Sequence, residues 1–175
     1  MKYRNASFFK KEPQVRSKYL TCFLLIFSGN IYAQKSVVPA NWQSVNTGVF
    51  SINLPPDWST QVTRGRGVYY GYFKGDNIVL KFELSFLTVP SQRYVSSKYV
   101  ILYETVGGKS AQIVFPRPKV DRELTAVYFP NIYGAKGHEP SFGFTVMTPQ
   151  QLSKSQRNLV LKIFRSIKLN TESKL

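Results

Sequence analysis

Between Phe50 and Met147 apolar residues recur mostly at every second position, the period of a strand with one buried face. Phe50, Ile52 and Leu54 share one side of a run that stops at Pro55-Pro56, and Val68 to Phe73 (VYYGYF) is aromatic and β-prone, with Gly75-Asp76 as its turn. The clearest strand spans Ile78 to Phe86. There Ile78, Leu80, Phe82, Leu84 and Phe86 point one way, and Lys81, Glu83 and Ser85 point the other. One buried and one wet face predict an antiparallel sheet. Further strands are expected at Tyr99 to Val106, Ala111 to Phe115, Leu124 to Phe129 and Ser141 to Met147. Gly107-Gly108, Pro116 to Pro118 and a long loop from Pro130 to Pro140 separate them.

The period then changes. Leu152, Leu159, Val160, Ile163 and Ile167 fall on one side at helical spacing, while Lys154, Arg157, Arg165 and Lys168 fall opposite. Thr148-Pro149 with Gln151 offers an N-cap, Pro at the first helical position and Gln three residues after the cap. These signals predict a helix near 149–167 that lies over the sheet with a basic ridge outward. The fold class is therefore α+β: an antiparallel β-sheet of about six to eight strands covered by a C-terminal amphipathic helix.

The first 33 residues carry a different pattern. Lys2, Arg4, Lys10, Lys11, Arg16 and Lys18 face only Glu12, then comes the apolar run Tyr19 to Phe27 and the segment Ser28-Gly29 to Ala33. This layout predicts a secretory signal peptide over 1–33, followed by one exported domain over 34–175, periplasmic or secreted. A retained membrane anchor is the rival reading, but the run falls short of the roughly 18 residues that a span requires. Cys22, the only cysteine, lies inside the apolar run, so the exported domain holds no thiol.

Composition narrows the chemistry. The chain has 175 residues, 43% hydrophobic, one Cys and one His, which excludes a Cys/His zinc site and an intrachain disulfide. No metal or cofactor is expected. Gly107-Gly108-Lys109-Ser110 has the end of a phosphate-binding loop, but Tyr103 stands where that loop needs another Gly, and a strand follows instead of a helix. Arg66 to Phe73 partly echoes an RNA-recognition strand, yet Val68, Tyr69 and Gly71 break the pattern, and nucleic acid is not an expected partner. His138, with Asp121 as orienter, is the one candidate base for a hydrolase, and no Gly-x-Ser-x-Gly elbow accompanies it. Glu83 and Glu104 are the candidate carboxylate pair for glycosidase chemistry, against the plainer reading that they are counter-charges.

The remaining signal is charge. The whole chain carries a net charge of +15, and residues 34–175 keep 18 Lys+Arg against 8 Asp+Glu, or +10, which draws polyanions electrostatically. Lys154, Arg157, Arg165 and Lys168, with the loop residues Arg64 and Arg66, are the expected polyanion-binding set. Anionic lipid headgroups, acidic glycans or an envelope protein are the expected partners.

Three stretches resemble the PsbP-like superfamily, in matching order along the chain: FSINLPPDW (Phe50 to Trp58), the glycine hairpin ETVGGKSAQIV (Glu104 to Val114) and LKIFRSIKL (Leu161 to Leu169). The resemblance implies an antiparallel sheet flanked by helix, in proteins that mostly bind or assist assembly, and it supplies no catalytic signature. The sequence thus favours a non-enzymatic exported binding or assembly module. A His138 hydrolase and a protein–protein adaptor without polyanion binding are the alternatives.

Overall fold

Two-residue turns with left-handed backbone set the framework of the sheet. In the computed structural model, Asp76 and Asn77 have φ of 50° and 59°, and Gly107 and Gly108 have φ of 56° and 81°. Positive φ at both central residues is the type I′ hairpin geometry, whose twist matches that of paired strands. Asp and Asn tolerate the left-handed region better than most residues, and Gly enters it without a Cβ penalty. Gly107-Gly108-Lys109-Ser110 is thus a hairpin turn running into a strand, as the sequence argued.

The structure describes residues 38–65, 68–85, 96–118, 124–133 and 142–170, all within one compact unit. Ten strands and one helix follow in order: β1 (Gln43–Asn46), β2 (Phe50–Leu54), β3 (Ser59–Gly65), β4 (Val68–Gly75), β5 (Ile78–Ser85), β6 (Tyr99–Val106), β7 (Lys109–Pro116), β8 (Thr125–Tyr133), β9 (Phe142–Thr148), α1 (Lys154–Arg165) and β10 (Lys168–Leu169). Seven strands form one antiparallel sheet in the order β3-β4-β5-β9-β8-β7-β6, and three form a second in the order β1-β2-β10. The expectation of an antiparallel sheet with a closing helix holds. The single sheet does not: the strands divide between two.

The core lies between the seven-stranded sheet on one side and β2 with α1 on the other. Phe50, Ile52 and Leu54 of β2 join Phe73, Leu80, Phe82, Phe144, Val146 and Phe129 of the large sheet, and α1 adds Val160, Ile163 and Phe164. Phe50 stands at the centre, with its ring centroid 4.5 Å from that of Phe144, 5.2 Å from Phe82 and 6.1 Å from Phe73. Tilted and edge-on ring pairs of this kind add about 0.5–1.5 kcal/mol beyond simple burial.

Four expectations are corrected. Thr148 does not cap the helix; it stays in β9, fully buried and opposite Thr125. The cap is Ser153, whose hydroxyl accepts from the Gln156 amide while the Gln156 side chain accepts from the Ser153 amide. That reciprocal box satisfies two otherwise orphaned donors, so helix begins one turn later than expected. Gln150 is used elsewhere: its Oε1 accepts from Val79 N at 2.6 Å and its Nε2 donates to Asn77 O at 3.1 Å, which fastens the β4–β5 turn. Second, Lys168 lies in β10, beyond the helix end at Ser166. Third, β8 continues through Pro130 to Tyr133 by an irregularity in its pairing with β9, where the missing proline N–H breaks no ladder bond. Fourth, the opposite side of β5 is only partly wet, because Ser85 is buried and donates to Glu83 at 2.8 Å.

Candidate functional site

α1 carries its cations in two different ways. Lys154, at its first turn, and Lys162, near its end, are exposed, as is Lys168 just beyond. Arg157 and Arg165 are half-buried against the large sheet. The Arg157 guanidinium sits 5.5 Å from the Phe115 ring centroid, and its Nη1 donates to Pro116 O at 3.3 Å. Arg165 grips Glu104 with two parallel bonds, Nε to Oε2 at 2.9 Å and Nη2 to Oε1 at 2.7 Å. A planar fork meeting a carboxylate in this way gives a fixed geometry that lysine does not provide. The expected ridge is therefore split, with its two arginines tying α1 to β7 and β6 and its lysines facing water.

This ion pair sets both partners' titration. The Arg165 bonds hold the Glu104 carboxyl below its ordinary value against an opposing desolvation effect, and Glu104 raises the Arg165 guanidinium above its own. Arg64 lies far from the pair in the fold. It is exposed on β3, the opposite edge strand, with its guanidinium 5.6 Å from the ring centroid of Tyr69. Arg66 lies outside the described residues, as do His138 and Asp121.

The two carboxylates proposed as a glycosidase pair are not brought together. Glu83 is on β5 and Glu104 on β6, with β9, β8 and β7 between them. They also point to opposite faces, because Glu83 shares a cross-strand row with Tyr103, the immediate neighbour of Glu104. A glycosidase pair needs about 5–9.5 Å between carboxyls. That arrangement is absent here.

The row containing Glu83 crosses the whole large sheet on the face away from α1. Register places Thr63, Tyr70, Glu83, Thr145, Tyr128, Gln112 and Tyr103 side by side, one from each strand. Every member has a polar group, and single-sequence reading found none of this because the seven positions come from seven separate segments. The Gln112 amide donates to the Tyr103 hydroxyl at 3.1 Å. Exposure varies sharply along the row, from 80% at Tyr103 to 7% at Tyr128, whose phenol burial pushes upward in pKa. Among the described residues no group of three His, Cys, Asp or Glu side chains is placed to hold a metal ion, and no helix is long and apolar enough to cross a membrane.

Lys162 was missed by the sequence reading, although its spacing of eight residues from Lys154 puts it two turns along the helix. Comparison with protein-family models, curated proteins and solved structures gives no match. Any function must therefore be argued from the chain's own surfaces.

Proposed function

We propose that this chain is an exported, non-enzymatic binding or assembly module with a PsbP-like α+β fold, and that it contacts anionic envelope groups through exposed lysines on and just after α1. The observation that carries the reading is the unequal use of charge. The one ion pair among the described residues joins Arg165 to Glu104, while Lys154, Lys162 and Lys168 are exposed and make no ion pair there. Exposed, uncompensated lysines raise both the encounter rate and the affinity for lipid headgroups or acidic glycans, and salt screens that effect. Export rests on the leader-like pattern of residues 1–33. The PsbP-like part rests on the order of its three stretches: an opening strand that ends in Pro-Pro and a buried Trp58, a Gly-Gly hairpin, and a closing helix.

The test is co-sedimentation of the full chain with anionic and neutral vesicles across a salt series. Binding to anionic vesicles alone, lost as salt rises, is the expected result. Replacing Lys154, Lys162 and Lys168 together with Gln should weaken that binding and flatten its salt dependence. Binding that is equal on neutral vesicles, or unchanged in the triple variant, overturns the assignment.

A further inference from the structure

Among the described residues the large sheet ends at β6, an edge strand of eight residues (YVILYETV). Long apolar edges are templates for another strand, and proteins ordinarily blunt them with interior lysines, prolines, bulges or a covering element. β6 contains neither Lys nor Pro, and its pairing with β7 runs without a register shift from Tyr99↔Pro116 to Val106↔Lys109. Its one charge, Glu104, is already bound by Arg165 on the helix side. Tyr103 is 80% exposed.

The backbone parity of β6 follows from its turn. In a two-residue type I′ hairpin the flanking residues, here Val106 and Lys109, form a hydrogen-bonded pair, so even-numbered residues of β6 direct N–H and C=O toward β7. The bond from Arg117 N to Lys98 O at 2.9 Å extends the same parity past the other end. Ile101, Tyr103 and Thr105 therefore present their backbone groups outward, away from β7.

Charge indicates what fits there. Exposed Lys98 and Arg117 stand at the start of β6, Arg117 held by its Nε bond to Ser96 O at 2.9 Å, and half-buried Lys109 stands at the hairpin end. A second copy docking antiparallel on β6 would set Lys98 of each copy against the Lys109 end of the other, a like-charge clash at both ends. A strand with acidic residues at its two ends meets opposite charge at each. We infer that β6 is a docking edge for an extended segment of a partner polypeptide, apolar in its middle and acidic at both ends, which pairs with the outward backbone of Ile101 to Thr105. This interaction goes beyond the vesicle-contact reading and uses none of its lysines, so the two fail independently.

The experiment titrates the full chain with two synthetic peptides, each an alternating Thr-Val segment, one flanked by Glu pairs and the other by Lys pairs. Amide hydrogen exchange is followed on the complex. The Glu-flanked peptide should bind at least about tenfold more tightly, with new protection at Ile101, Tyr103 and Thr105, and the preference should shrink with salt. Tyr103→Pro removes an outward donor without touching the β6–β7 ladder and should weaken binding about tenfold. A second variant, Lys98→Glu with Lys109→Glu, should prefer the Lys-flanked peptide, and it decides the matter if Tyr103→Pro does not fold. Equal or absent binding of the two peptides, protection at β3 instead, unchanged affinity in Tyr103→Pro, or self-association that Tyr103→Pro abolishes each overturns the proposal.

Discussion

The two edges of the large sheet are built on opposite principles. β3 (STQVTRG) is polar, carries a cation at Arg64 and has Val62, 40% exposed, as its only apolar side chain. It is a blunted edge of the ordinary kind, attached by its ladder to β4. β6 (YVILYETV) has five apolar or aromatic residues in its first five positions and keeps its cations outside, at the strand ends. Blunting from the ends discourages self-pairing while leaving the middle of the strand open to a strand of opposite charge. A protein that needed only to avoid aggregation would treat both edges like β3.

Backbone-level changes should break this contrast most strongly. Gly71 of β4 faces both the Gln61 carbonyl of β3 and the Phe82 ring, with no room for a Cβ. Gly71→Ala should destabilise the protein by about 3 kcal/mol in denaturant unfolding and accelerate amide exchange along β3 before β6. On the other side, Gly107 combines positive φ with a close approach to the Ile167 carbonyl. Gly107→Ala should cost about 2 kcal/mol, whereas Gly108→Ala, left-handed but in open space, should cost about 1 kcal/mol. Equal losses in a paired melt would show that the approach to Ile167 contributes nothing.

The smallest effect concerns the charge on β6. Glu104→Gln should lower stability near neutral pH by less than about 1 kcal/mol, because the pair is partly water-exposed. Its sign with pH is fixed. Glu104 titrates below its ordinary value in the folded chain, so its contribution is present above the ordinary glutamate pKa and is lost as pH falls through the folded one. Arg165, shifted upward, stays charged throughout that range and adds no dependence of its own. Wild type and Glu104→Gln should therefore converge in acid, and a gap that widens there would contradict the linkage.

β2, β4 and β5 were readable because alternate residues are pressed into one core, and β6 to β9 because apolar runs stand between Gly- and Pro-bearing turns. β3 was not, since its exposed sequence STQVTRG has no apolar side to alternate. β1 and β10 were missed because they are four and two residues long. The helix start was misplaced by a choice between two plausible caps. Thr148-Pro149 and Ser153-Gln156 both look competent locally, and burial of Thr148 opposite Thr125 decided between them.

Short windows of the chain suffice for its period-two and period-3.6 stretches, its turn chemistry at Gly107-Gly108 and its excess of positive charge. These are local or additive properties, which neighbouring residues fix on their own. How the charge is used depends on the fold. It took Arg157 and Arg165 from the expected ridge into contacts with Phe115 and Glu104, set Glu83 and Glu104 on opposite faces, and left β6 at an edge. Those outcomes depend on which strands become neighbours, and strand order joins segments far apart in the chain through packing that no short window contains.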